Sequence, residues 1–272
     1  MKTTLALILL LGMTVMAHGF VENFDQYDTT TFNPQVGLQD LLVGNGGWLA
    51  ADDDVANTDV DAATGAWNNE SWGNPGTANN NGLFFAPGGY NAVAHNIGTL
   101  TPGTTITFDH QINHGSSYLD LAIGSNLADG NNGNEVFFHV EMGESGSPFP
   151  GGIYYTVYPI SGATVRNAHT DGDAGETARW SQTRITIGPG LSSINLEARN
   201  DTTGANWIDF GSISLGGSLP AGEHWLSLRG ETNVNGWGRA AGYDNIDVLI
   251  PEPATAGLLA MAGTVVLLKR RR

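Results

Sequence analysis

Cysteine is absent from all 272 residues, which excludes disulfide staples, thiol nucleophiles and thiolate metal sites. Lysine occurs only as Lys2 and Lys269. Between residues 20 and 250 the only lysine or arginine residues are six arginines, set against 26 acidic residues, a net charge near −20. Such a surface repels nucleic acid and anionic lipid, because phosphate binding needs clustered cations. It suits neutral or cationic partners, divalent cations, or solubility alone. No amphipathic helix of three turns lies between the two chain ends, and no phosphate loop or strand–serine–helix nucleophile elbow occurs.

What fills the chain instead is glycine, 38 residues, about twice the usual share of ~7%. With Asn-rich turns, this argues for many short strands joined by tight loops. Period-two segments recur at Phe20–Tyr27, Thr104–His110, Tyr118–Ile123, Glu135–Glu141, Ile153–Tyr158, Trp180–Ile187, Ile194–Arg199, Trp207–Leu215, Trp225–Arg229 and Tyr243–Ile250. In Thr105-Ile106-Thr107-Phe108 apolar and polar residues alternate, as in a sheet with one wet face. The pattern predicts an all-β fold, a two-sheet antiparallel sandwich of the jelly-roll kind with about ten to twelve strands. Asp52 to Gly82, rich in Asp, Asn and Gly, reads as an extended loop region. Val21-Glu22-Asn23-Phe24-Asp25 and Tyr243-Asp244-Asn245-Ile246-Asp247-Val248 resemble the opening and closing strands of carbohydrate-binding jelly rolls and concanavalin-like sandwiches. That resemblance implies that the first and last strands meet.

The two ends read differently from the middle. Lys2, the apolar run Leu5–Leu11 and small residues ahead of a cut after Ala17 or Gly19 form a secretory signal peptide over residues 1–19. The domain then spans 20–250, long enough to bury about 70–75% of its unfolded surface without a covalent staple. Pro251 and Pro253 lack backbone N–H groups and end the folded part. The uncharged run Ala254–Leu268 follows, then Lys269-Arg270-Arg271-Arg272. As a helix this run reaches about 22 Å, short of the ~30 Å hydrocarbon core, but it can span with thinning and snorkelling cations. Four terminal cations favour retention on the cytoplasmic side. The tail, residues 251–272, resembles the PEP-CTERM sorting signal of Gram-negative bacteria: Pro251-Glu252-Pro253, a short membrane segment and a terminal basic cluster. The resemblance implies handling by an exosortase, transient inner-membrane anchoring, and delivery to the cell surface or an exopolysaccharide matrix, much as a GPI tail is removed from its mature protein.

Within the domain, two carboxylate-rich turns invite a metal. Asp129-Gly-Asn131-Asn-Gly-Asn-Glu135 and Asp171-Gly-Asp173-Ala-Gly-Glu176 place oxygen ligands at alternate positions, as calcium sites do. Plain turn chemistry is the competing reading, since Asp and Asn bond their own backbone. A structural calcium joining the chain ends through Glu22 or Asp25 and Asp244 or Asp247 is a second arrangement. For carbohydrate, Trp67 and Trp72 put two indoles in a polar loop region, and Trp237 with Arg239 forms a similar pair; sugars stack their C–H faces on such rings. Trp48, Trp180, Trp207 and Trp225 sit in strand-like runs and read as core or sheet-packing residues.

Catalysis has less to stand on. Glu135 and Glu141 share a strand face about 20 Å apart at ~3.3 Å per residue, whereas glycosidase carboxylate pairs need roughly 5–9.5 Å. His110 and His114 have zinc-like spacing but lack a metalloprotease glutamate between them. The reading is therefore an exported, non-catalytic β-sandwich that interacts with carbohydrate or exopolysaccharide, with calcium as the one cofactor the pattern admits. Alternatives are a polysaccharide hydrolase or lyase, requiring convergent acids or a His–Tyr pair in one cleft, and a purely structural coat protein. Intact-mass measurement of the product from its native host should find Lys269–Arg272 removed and the start at His18 or Phe20. A product still carrying Arg272 would overturn the sorting assignment.

Overall fold

The computed structural model describes residues 16–24, 46–50, 64–68, 81–85, 90–112, 117–125, 136–144, 153–169, 180–200, 206–232 and 242–251. These contain β1 (Met16–Glu22), β2 (Leu49–Ala50), β3 (Thr64–Asn68), β4 (Asn81–Phe85), β5 (Tyr90–Gly98), β6 (Thr105–Gln111), β7 (Ser117–Gly124) and β8 (Val136–Glu144). They continue with β9 (Ile153–Tyr158), β10 (Val165–His169), β11 (Trp180–Ile187), β12 (Ser193–Asn200), β13 (Ile208–Ser214), β14 (His224–Thr232) and β15 (Gly242–Pro251). A single 3-10 turn, Pro189–Leu191, joins β11 to β12.

The strands form two antiparallel sheets. One has eight strands in the order β13-β12-β11-β6-β15-β4-β3, with β1 also paired to β15. The other has seven, in the order β10-β9-β8-β7-β14-β5-β2. Alternation drives the layering: in β11, Ser181, Thr183, Ile185 and Ile187 are buried while Gln182, Arg184 and Thr186 face outward. Ile106 and Phe108 of β6, Leu196 of β12 and Val248 of β15 meet Leu121 of β7, Val140 of β8, Val157 of β9 and Leu228 of β14 in one apolar core. Tyr155 from the seven-stranded sheet reaches across it. Its ring lies 5.4 Å from Phe210 and 5.9 Å from His110, both of the opposite sheet. The Tyr155 hydroxyl contacts His110 Nε2 at 3.4 Å and accepts from Thr183 Oγ1 at 3.5 Å, so the buried hydroxyl is satisfied inside the core.

The last strand holds the eight-stranded sheet together. β15 pairs with β6 along one edge, from Gly242↔Gln111 to Leu249↔Thr105. On its other edge it pairs first with β4, at Tyr243↔Leu83, and then with β1, from Glu22↔Ile246 to Met16↔Pro251. A bulge between Asp244 and Asp247, with Asn245 at φ 47°, lets one strand serve both partners. The first and last strands thus meet, as the sequence predicts. β1 starts at Met16, ahead of the domain start expected at residue 20, and β15 runs to Pro251, beyond which the residues are not described.

Four features differ from the sequence reading. Thr64–Asn68 forms β3 inside the region expected to be loop, held by backbone pairing to β4. β4, β5 and β10 carry no clean apolar alternation, because Asn, Ala and His occupy their faces. The two-residue β2 is too short to leave any pattern. Among the described residues no helix is long and apolar enough to cross a membrane; of the expected signal segment 1–19 only residues 16–19 are described, as the start of β1, and the expected helix at 254–268 lies outside the described residues.

Gly216 marks a clamp at one end of the sandwich. It sits at φ 70°, and a Cβ there would collide with the Ser161 carbonyl oxygen. Ser161 Oγ donates to Gly216 O at 2.8 Å and Ser161 N to Leu215 O at 3.2 Å, tying the β9–β10 connection to the one after β13. Core packing itself is open to test at β6. Phe108→Ala should cost about 3–5 kcal/mol in urea unfolding, while Thr107→Ala on the outer face of the same strand should cost less than about 1 kcal/mol. Equal losses would show that the two faces are not distinguished.

Candidate functional site

Residues directly opposite each other on antiparallel strands share a face, so register alone assembles the outer surface of the seven-stranded sheet. One transverse row runs Arg229 (β14), Asp120 (β7), Glu141 (β8), Thr156 (β9), Arg166 (β10). The next runs Ala94 (β5), Ser227 (β14), Ala122 (β7), His139 (β8), Tyr158 (β9). Leu121, Val140, Val157 and Leu228, the alternate residues on the same strands, are fully buried and keep both rows facing outward.

Asp120 is the anchor. Although on the outer face, it is 1% exposed, covered by His139 and Arg229. His139 Nδ1 lies 2.8 and 2.7 Å from its two oxygens, and Arg229 donates Nη2–H to Oδ2. Burial alone would raise the Asp120 carboxyl, but the His139 hydrogen bond and the Arg229 charge outweigh it and hold the group below its ordinary 3.8. A carboxylate can only accept, so His139 carries its proton on Nδ1, and in the neutral ring Nε2 is the acceptor.

Tyr158 stacks on the His139 ring, with centroids 4.3 Å apart and planes at 21°. Its hydroxyl donates to Glu141 Oε2 at 3.5 Å, and Tyr154 hydrogen-bonds the same carboxylate. Burial, then the neighbouring Asp120 charge, raises the Glu141 carboxyl. Burial and Glu141 raise both phenols, so they stay protonated donors. Arg166 lies flat over Tyr154 at 4.0 Å from the ring centroid. Gly143 makes room for that ring, since a Cβ at 143 would strike its phenol end. Beside the second row is a cavity of about 270 Å³ whose walls include Ala122, Phe137, His139, Tyr158, Ile160 and Arg229. Trp225 packs nearby on the same face against Ala92, Ala94 and Ala122. Apolar walls with a few convergent polar groups are what a small-ligand site requires.

The opposite face, on the eight-stranded sheet, is closed on itself. Arg184 makes a bidentate pair with Glu197 at 2.7 Å for both bonds. Arg184 and Arg199 lie 4.4 and 4.7 Å from the Trp207 ring centroid. Gln182 accepts from Arg199 and donates to Asp109 at 2.7 Å, and Asn245 donates to the other Asp109 oxygen at 2.8 Å. These side chains use one another, which leaves the seven-stranded face as the candidate site.

The residues singled out in the sequence fare unevenly. Glu22 is buried: Oε1 accepts from Phe24 N at 2.8 Å and Oε2 from Trp48 Nε1 at 3.1 Å. Paired with Ile246, it faces the core, whereas Asp244 pairs with Asp109 and Asp247 with exposed Val21 on the outer side. Glu22 therefore does not face Asp244 or Asp247, while the alternative through Asp25 lies outside the described residues; among those residues no group of three or more metal-capable side chains occurs. Trp48 is fully buried, as expected. His110 lies in the core rather than in a zinc site. Trp67 is on β3, and its side chain lies outside the described residues. Asp25, Asp129, Asn131, Asp171, Asp173, Glu135, His114, Trp72, Trp237, Arg239, Glu252, Pro253 and the 269–272 cations also lie outside them. Asp120, His139, Tyr158 and Arg229 were not marked by any motif, and Glu141 was considered only with Glu135.

The depressed Asp120 carboxyl has a definite pH signature. A folded value below the unfolded one contributes stability that is complete above about 3.8 and is lost as pH falls through the folded value. Asp120→Asn, which leaves His139 and Arg229 without their shared counter-charge, should cost about 3–5 kcal/mol at neutral pH. Denaturant unfolding across pH should show that gap narrowing in acid. A gap independent of pH would mean that the pair is not ionic.

No family model and no curated protein sequence matches the chain. Many solved structures resemble its fold, and two serve as examples. One is the laminarinase catalytic domain from Thermotoga maritima MSB8, with TM-score 0.50 and 13% identity, covering 88% of this chain and 99% of that one. The other is the CBM2 module of the evolved Dit of Lactobacillus casei BL23 phage J-1, with TM-score 0.51 and 10% identity, covering 88% and 97%. At these identities the likeness is one of fold, a two-sheet β-sandwich.

Proposed function

We propose that the chain is an exported surface or matrix protein whose jelly-roll domain binds polysaccharide on the outer face of its seven-stranded sheet. The observation that carries this reading is the cavity beside His139 and Tyr158, with stacked rings, two arginines and two phenol donors on one face. Sugar rings offer C–H faces to aromatic side chains and hydroxyls to polar ones, and this face supplies both. The two similar structures are, by name, a laminarinase catalytic domain and a CBM2 module, in keeping with carbohydrate as the ligand class. An acidic domain with few cations fits a neutral ligand over most of its surface, with positive charge supplied locally by Arg166 and Arg229.

Delivery is the other half of the proposal. Residues 1–19 act as the signal peptide, and Pro251-Glu252-Pro253, the 254–268 helix and Lys269–Arg272 act as a PEP-CTERM address read by the secretion machinery and an exosortase. The destination is the surface or extracellular matrix of a Gram-negative bacterium. Calcium enters only as an arm of the test, since Glu22, Asp244 and Asp247 do not converge on an ion.

A glycan array probed with the full chain, with and without calcium, tests binding. Tyr158→Ala should weaken binding to any polysaccharide hit about tenfold, or about 1.4 kcal/mol. Undiminished affinity in that variant would move the ligand elsewhere, and an array without hits would remove the carbohydrate reading. The geometry also favours a second reading, an active enzyme, because the His–Tyr pair that a polysaccharide lyase requires is present at His139 and Tyr158.

A further inference from the structure

Three features of the seven-stranded face are more specific than sugar binding needs. The Asp120–His139 pair orients a histidine so that Nε2 is the free base when the ring is neutral. Tyr158 stacks on that ring and keeps a protonated hydroxyl on the same face, donated to Glu141. An arginine stands on either side of the pair: Arg229, bonded to Asp120, on the cavity wall, and Arg166 over Tyr154 one strand beyond. The row that carries both arginines also carries Asp120, ion-paired to Arg229, and Glu141, so in a domain of six arginines against 26 acids this strip is balanced in charge.

We propose that this face is the active site of a polysaccharide lyase acting on uronate polymers by β-elimination. The proposal rests on the polysaccharide reading above. His139 Nε2 takes the proton on the carbon α to the uronate carboxylate. The electron pair of that C–H bond forms a double bond to the β carbon, and the bond from the β carbon to the glycosidic oxygen breaks. Tyr158 gives its hydroxyl proton to the departing oxygen, and the tyrosinate recovers a proton that His139 releases through solvent. No oxidant, reductant or metal is consumed. Arg229 and Arg166 counter the carboxylate charge, which makes the α proton acidic enough to remove. Asp120 acts through His139 as a positioning residue.

The geometry also selects the stereochemistry. His139 and Tyr158 project from one sheet face with their rings stacked, so both approach one side of a sugar lying on it. Elimination is then syn, and the substrates are uronates whose α proton and glycosidic oxygen are cis, as in polymannuronate and polyglucuronate. Polyguluronate and polygalacturonate, with the two trans, are not cleaved.

The test incubates the purified full chain with each of these four polymers and with a neutral β-glucan. It follows the ultraviolet absorbance of the conjugated unsaturated uronate, new reducing ends, and binding by affinity electrophoresis. The expected result is absorbance from the cis polymers alone. Tyr158→Phe, which keeps the stacked ring, should lower turnover at least about 10²-fold while binding is retained, and His139→Ala should do the same. Should the histidine variant fail to fold, Tyr158→Phe decides alone. Binding without absorbance, or reducing ends without absorbance, overturns elimination and leaves the binding face standing. Cleavage confined to the trans polymers overturns the single-face geometry, and no binding to any polymer removes both proposals.

Discussion

The eight-stranded sheet depends on the backbone ladder of β15. β6, β11, β12 and β13 lie on one side of it, and β4, β3 and β1 lie on the other. No other described strand bridges them in the pairing order, so removing its hydrogen bonds would separate the sheet into three pieces, with β1 alone. The same strand supplies Tyr243, Ile246 and Val248 to the apolar core. A central strand buried on its inner face must satisfy every ladder group, because an unpaired buried amide is costly. The bulge at Asn245 is how β15 meets that demand against two successive partners on one edge.

The two outer faces show how similar side chains serve different ends. On the eight-stranded sheet, Arg184 meets Glu197, Arg199 meets Gln182, and Asp109 takes donors on both oxygens. On the seven-stranded sheet, Asp120 spends its oxygens on His139 and Arg229, and in doing so commits one imidazole nitrogen and leaves the other outside that pair. Tyr158 is held by a ring stack, which keeps its hydroxyl directed along the sheet toward Glu141. Mutual saturation builds a surface; partial saturation around a cavity builds a site.

Much of the fold was legible because burial alternates with a period of two. Thr105–Phe108 and Arg184–Ile187 announce their strands, and their inward residues, Ile106, Phe108, Ile185 and Ile187, are those found buried. Where the faces are small or polar, as in Thr64–Asn68 and Val165–His169, backbone pairing decides the structure and the pattern is silent. The site was hidden for a related reason. Parity along each strand already turns Asp120, His139, Glu141, Tyr158 and Arg229 outward, but they are scattered over more than a hundred positions of the chain. Only the order β9-β8-β7-β14 and its register bring them into two rows. Sheet order is a property of tertiary closure that no local window contains. At Glu22 the facing was equally hidden: one residue of register turns it toward Trp48 instead of beside Asp247.

The place of β15 also governs when the molecule can take shape. Chains are made from the amino end, so β1, β3 and β4 exist long before the strand that joins them to β6. Until residues 242–251 are available, the β3–β4 pair has nothing to join it to β6, and β1 waits for a partner more than two hundred positions downstream. Closure of this sheet therefore comes last, when the final strand arrives.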